Sequence, residues 1–204
     1  MGLTFDAADH AYQLDGKPLD SVSIVLDTFR NNSFYTEESR RRGHIVHEIT
    51  ADDDFGVEPD PVKVAEFMGY YLSWRKFKQL RGFAAVEIEF PVYNSEHMYA
   101  GTPDRLCFLG NDLRLTLLDI KTGQPSPFTG LQLAAYNSAI LDSYRTRHLK
   151  NQALAGVTRI ADQIAVHLDA NGGAPRAIEY GGRVDEDGWK HALGYHQWKK
   201  WRKA

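Results

Sequence analysis

One stretch limits the fold more than any other: Leu115-Thr-Leu-Leu-Asp-Ile-Lys121, at the middle of the chain. Its apolar run reads as a buried strand. Side chains alternate faces along a strand, so Asp119 and Lys121 project to the same side. An acid and an amine two residues apart at a strand end are a poor choice for packing. They are a good choice for holding a hard cation and a water to be activated. A second acid, Asp104 in Gly101-Thr-Pro-Asp104, lies on the preceding apolar run, just after a proline that a strand tolerates mainly at edges and bulges.

The rest of the chain surrounds this centre. Leu3 to Leu19 reads as a β-hairpin turning at Asp15-Gly16, a pair that accepts positive φ. Ser21 or Ser23 can cap a short helix through Phe29. Helices are expected over Tyr35 to Ala51 and over Val62 to Leu80, the second with Val64, Phe67, Tyr71, Trp74 and Phe77 on one buried face. The acidic, Gly/Pro-punctuated Asp52 to Pro61 between them reads as a loop. Three strand-like runs follow: Phe83 to Tyr93, Met98 to Phe108 and Leu113 to Ile120, the last two joined by a turn at Asn111-Asp112. A helix from Phe128 to Tyr144 comes next. A second hairpin (Asp162 to Leu168, Arg176 to Tyr180) and a helix from Asp185 to Lys203 close the chain. Trp198-Lys-Lys-Trp-Arg-Lys203 interleaves aromatics with cations, a composition suited to nucleic acid but equally to an amphipathic helix with core aromatics. The expectation is one α/β domain over 1–204, with a central mixed β-sheet flanked by helices and its core over about 35–145.

Composition excludes several classes. With 204 residues, 43% hydrophobic and 25% charged, the chain suits one globular domain with a real core. No stretch approaches the ~20 apolar residues of a membrane span. The N-terminus has no basic-then-apolar leader, so a cytoplasmic protein is expected. Cys107 is the sole cysteine, which rules out an intramolecular disulfide, a cysteine zinc site and a protein-ligated iron–sulfur cluster. A net charge of −3 means that any polyanion must be met by local basic patches.

If the last two central runs pair across their turn, Asp104 and Asp119 come close together. Two unpaired carboxylates there favour a divalent cation between them, and oxygen ligands select Mg²⁺ or Mn²⁺. The main-chain carbonyl of Ile120 is a further ligand candidate, and Lys121 can orient or deprotonate water. The competing readings are a turn cap for Asp104 and a structural ion pair between Asp119 and Lys121.

Pro103-Asp104 followed by Asp119-Ile-Lys121 resembles the signature of the PD-(D/E)XK nuclease superfamily. Gly43-His-Ile-Val-His47, Gly101-Thr-Pro-Asp104, Asp119-Ile-Lys-Thr-Gly123 and Gln132…Tyr136 resemble its RecB-like exonuclease branch. Phe5…His10-Ala-Tyr12…Asp15-Gly16 is similar to the opening of small stand-alone phage and prophage nucleases. The resemblance spans about residues 3 to 140. It implies a restriction-endonuclease-like core and a Mg²⁺- or Mn²⁺-dependent deoxyribonuclease without an iron–sulfur cluster. An exonuclease in phage-type recombination, replication or repair is the favoured form. A structure-specific or nonspecific endonuclease and a non-catalytic DNA-binding accessory protein are the alternatives. Catalysis is implied for Asp104, Asp119 and Lys121, and metal ligation for His47, Asp104, Asp119 and Ile120. Gln132 and Tyr136 are implied to serve substrate binding, and Glu87 is a further candidate because the family often has an acid near it. Arg41 and Arg42 directly precede Gly43 and are candidates for phosphate contact by position, with a solvated face as the competing reading. The implied partners are DNA and a single-strand annealing or single-strand-binding protein, and an oligomer is compatible with them.

Overall fold

The computed structural model describes residues 2–6, 9–29, 36–145, 151 and 157–202. Ten strands and six helices lie among them. The larger sheet has the order β10-β9-β8-β7-β4, built from β4 (Phe83–Ile88), β7 (Arg105–Leu109), β8 (Asp112–Lys121), β9 (Asp162–His167) and β10 (Arg176–Tyr180). It is mixed: β8 and β9 are parallel and the other pairs antiparallel. The parallel step needs a crossover, which α5 (Phe128–Arg145) supplies. The smaller sheet, order β1-β2-β3-β6-β5, holds β1 (Leu3–Asp6), β2 (Ala11–Leu14), β3 (Lys17–Ser21), β5 (Val92–Asn94) and β6 (Tyr99–Gly101).

Strand β8 explains the layering. Leu115 and Leu117 on one face join a core with Val22, Leu133, Ala135, Ile140 and Trp189, from α1 (Val22–Asp27), α5 and α6 (Arg183–Trp201). Leu118 and Ile120 on the other face join Val46, Trp74, Phe77 and Val166, from α2 (Glu37–Phe55), α4 (Met68–Arg81) and β9. Each such side chain, fully buried, contributes about 1.5–3 kcal/mol. The sheet is therefore covered on both faces, an α/β arrangement consistent with the expected restriction-endonuclease-like core.

Local sequence accounts for the helix ends. Ser21 accepts the Ile24 N–H at 3.1 Å as the α1 cap. Thr36 caps α2 through the Ser39 N–H, and Gly56 ends it in the left-handed region. Asp60 caps the short α3 (Pro61–Glu66), with Pro61 at its first turn.

Several expectations need correction. The N-terminal hairpin is a three-stranded meander whose second turn is Asp15-Gly16. Helix α2 runs on through Asp52–Phe55, because Asp53 and Asp54 are drawn to Lys78 and, for Asp54, to Arg105. The long helix after it breaks at Phe67 into α3 and α4, a break invisible to three-and-four spacing because the buried face resumes in phase. The hairpin turn falls at Gly110-Asn111, one residue early. Two of the strand runs each split, because the chain changes sheets between Ile88 and Val92 and again between Gly101 and Arg105. Trp198 and Trp201 are 54% and 72% exposed rather than core, whereas Trp74 is fully buried as expected. The starting position Tyr35 and the end position Lys203 lie outside the described residues. No helix among the described residues is long and apolar enough to cross a membrane.

Candidate metal centre and cleft

The two sheet changes lie side by side. The Glu89 N–H donates to the Asp104 carbonyl at 2.8 Å, so an acid from each irregular segment reaches the same place. Glu89 sits at φ 45°, a left-handed backbone rare for a non-glycine residue, as the chain leaves β4. Helix α2 brings His47 to them from one face of the sheet. Its Nδ1 stands 3.3 Å from Glu89 Oε1 and 3.4 Å from Asp104 Oδ1. Its Nε2 is 3.1 Å from the Ile120 carbonyl. A carbonyl can only accept, so Nε2 carries a proton, and the two carboxylates favour one on Nδ1 as well. Burial would lower the His47 pKa, but Asp104 and Glu89 outweigh it and push it up to about 9.

One donor atom each from His47, Glu89 and Asp104 lies within 4.8 Å of the others, a group that could hold a metal ion. The neighbouring acid reinforces the fit. Asp119 is buried, and neither of its carboxylate oxygens has a hydrogen bond among the described residues. Lys121 Nζ lies 2.6 Å from its Oδ2 as an ion contact outside hydrogen-bond geometry. Asp104 Oδ2 accepts the Ile120 N–H at 2.6 Å. Burial raises the pKa of both Asp104 and Asp119, and a neighbouring acid adds to it in each case, Glu89 for Asp104 and Asp104 for Asp119. Glu89 goes the other way: burial alone would raise it, but His47 and Arg105 hold it below the usual carboxylate range. Carboxylates crowded around one imidazole suit a hard or borderline divalent cation.

A polar chain leads from this cluster to α5. Lys121 Nζ donates to Gln132 Oε1 at 3.3 Å, and Gln132 Nε2 donates to the Tyr136 hydroxyl at 3.2 Å. Tyr136 is buried, which raises its pKa. Gly101 is where it is because of this ring: a Cβ there would stand 2.5 Å from Tyr136 Cε1. Two glycine motifs of the sequence thus differ in kind, since a Cβ at Gly43 would meet open space.

The cluster opens into a cleft of about 1240 Å³ whose wall includes Arg40, Arg42, Gly43, His47, Lys121, Thr122, Gln132, His167 and Arg176. Arg42 Nε is 3.5 Å from Thr122 Oγ1. Arg41 turns away, forked on Glu66 and lying over Phe67. Glu87 lies opposite Leu106 in the β4–β7 ladder, past a bulge, and is not part of the His47 group; Glu89 is.

Two contributors lie beyond the reach of the sequence pattern. The motif resemblance points to Glu87 rather than Glu89, because a bulge and a sheet change break the two-residue period there. Arg105 is fully buried and shares the Glu89 carboxylate with His47. Its guanidinium binds Asp54 at 2.7 Å, Glu89 at 3.0 Å, the Asp104 carbonyl at 2.8 Å and Thr50 at 3.2 Å, and stacks over Trp74. The available signal is an arginine opening the apolar strand Arg105-Leu-Cys-Phe-Leu109, with an acidic run elsewhere to receive it.

No protein-family model and no curated protein matches the chain by sequence. Among solved structures, the crystal structure of an alkaline exonuclease (LHK-Exo) from Laribacter hongkongensis is similar at 12% identity and a TM-score of 0.30, covering 90% of this chain and 92% of that one. That likeness is too distant to bear on fold or chemistry, so the chemistry of the cleft rests on its own residues.

Proposed function

We propose that this chain is a divalent-metal-dependent deoxyribonuclease, acting as an exonuclease with Mg²⁺ or Mn²⁺. The observation that carries the reading is the meeting of one imidazole, three carboxylates and a lysine at the foot of a basic cleft. His47, Glu89 and Asp104 would hold the ion, with Asp119 and the Ile120 carbonyl beside them. A bound divalent ion supplies charge for a phosphate oxygen and lowers the pKa of water. Lys121, reached by both Asp119 and Gln132, orients or deprotonates the attacking water. Gln132 is fixed in turn by Tyr136. Arg40 and Arg42 face the cleft to meet phosphate, and Arg41, engaged by Glu66, does not. A place in phage-type recombination, replication or repair, beside a single-strand annealing or single-strand-binding protein, belongs to the same proposal and rests on the motif resemblance.

The test uses end-labelled linear and circular DNA, single- and double-stranded, with Mn²⁺, Mg²⁺ or EDTA. Linear DNA should be degraded with metal and spared in EDTA. A folded Lys121→Ala protein should lose at least ~100-fold in rate, the usual scale of a proton-handling group. Undiminished cleavage by that variant overturns the mechanism. Consumption of circular DNA replaces exonuclease with endonuclease action, and binding without turnover points to an accessory protein.

A further inference from the structure

The C-terminal hairpin carries no motif of the proposed reaction, yet it forms part of the cleft. Three basic residues on three neighbouring strands are in register there. Lys121 ends β8 and pairs with His167, which ends β9. His167 pairs in turn with Arg176, which opens β10. Register partners in adjacent strands share a face, so the three side chains form a row, and all three line the cleft. The row spans two strand spacings, about 10 Å, from the candidate metal centre to the edge of the sheet.

Above the carboxylates at its foot, one of which pairs with Lys121, the cleft wall carries mostly positive charge. Arg40, Arg42, Lys121 and Arg176 face a single carboxylate, Asp169, among the described lining residues, in a chain whose net charge is −3. Such local reversal of sign selects an anionic ligand. The middle member is fixed in place. His167 is buried, its Nδ1 donates to the Gly123 carbonyl at 2.9 Å, and its Nε2 has no partner among the described residues. That hydrogen bond also pins the turn that follows Lys121. Arg176 is exposed, so it is reachable and serves no packing purpose.

We infer that Lys121 and Arg176, set on either side of His167, form a phosphate row that leads one DNA strand from the candidate metal centre across the ends of β8, β9 and β10, with Arg176 holding the next phosphate along from the scissile one. The inference rests on the nuclease reading for its scissile bond. Its ligand chemistry, a single polyanionic strand, rests on the row itself. Arg176 is thus a substrate-positioning residue, and the C-terminal hairpin is a working part of the site.

The experiment separates the two. Fluorescein-labelled oligo-dT is titrated in EDTA, where no cleavage is needed, at several salt concentrations with wild type, Arg176→Ala, Arg176→Lys and Arg183→Ala. Arg183 is highly exposed, lies outside the cleft lining and matches the charge change. Arg176→Ala should bind about 5–10-fold more weakly at low salt, with the log–log salt slope smaller by ~0.7, the value of one single-strand phosphate contact. Arg176→Lys should restore most of the binding and Arg183→Ala should match wild type. In Mn²⁺ cleavage, Arg176→Ala should raise KM for long oligonucleotides with kcat little changed, and leave a dinucleotide's cleavage as in wild type. Equal binding and salt slope for Arg176→Ala and wild type overturn the row while leaving the nuclease proposal standing. Row-dependent binding in a protein that cuts no DNA under any metal supports the row and overturns the nuclease proposal instead.

Discussion

A methyl group added at position 101 would press into the Tyr136 ring, with Val22 Cγ2 also at 3.3 Å. The ring holds Gln132, and Gln132 holds Lys121, so one methyl acts on the amine three contacts away. Overpacking of this kind costs about 1–3 kcal/mol. Gly101→Ala should therefore lower the urea midpoint and depress turnover together. Gly43→Ala should do the reverse to stability: the site is mid-helix and open, so replacing glycine gains up to ~1 kcal/mol. Urea titration of both variants tests the pair of opposite signs. These contacts also show why some of the site is legible in the sequence. Asp119, Lys121, Gln132 and Tyr136 sit on a strand and the helix that follows it, so their spacing in sequence carries over to space, and Asp104 is read from its Gly101-Thr-Pro-Asp104 motif although it lies between two strands. Glu89 and Arg105 are read only once the chain's two changes of sheet are known, because neither alternation nor a helical period passes through such a segment.

Helices and strands contribute through their ends. Helix α2 serves two purposes: His47 faces the metal centre, and its last turn gives Asp53 and Asp54 to Lys78 and Arg105. The acids at 52–54 read as a loop in sequence because helix propensity is low there; a buried guanidinium and an ammonium from other elements override it. Helix α6 is clamped to β3 by Asp20, which takes hydrogen bonds from His196 at 3.0 Å and Lys200 at 2.6 Å. Burial would raise the Asp20 pKa, but these two partners outweigh it and lower it. A carboxylate depressed in the folded state stabilises fully above its unfolded pKa and loses that contribution as pH falls through the folded one. Asp20→Asn should thus lower the urea midpoint at neutral pH. The gap from wild type should narrow below about pH 4, where the unfolded carboxylate protonates. A gap constant from neutral pH to the acid limit would remove the clamp from the account.

For the whole molecule, the candidate metal centre would couple ion, proton and stability. Buried acids with raised pKa values and an imidazole raised to about 9 form a site that lacks positive charge unless it holds protons. An ion that binds only the folded chain adds about 2.7 kcal/mol at a hundredfold excess over its Kd. For a chain of this size that is a rise in Tm of roughly 5–10 °C. Mn²⁺ should produce it in wild type, and Glu89→Gln should blunt it. The ion takes neutral imidazole, so below about pH 9 the His47 proton must leave first. Apparent Mn²⁺ affinity should therefore climb with pH up to about 9 and level off above it. Calorimetry in buffers of different ionisation enthalpy should show a proton released at about pH 8 and little at about pH 10. The sheet that carries this centre holds one more property in reserve. Cys107 lies wholly inside it, with burial pushing its thiol up to about 12. At neutral pH the folded chain is in effect silent to maleimides and alkylating reagents. A cysteine introduced beside Arg176 or along α6 would then be the sole reactive handle, so spectroscopic probes can be mounted on this protein without first rebuilding its interior.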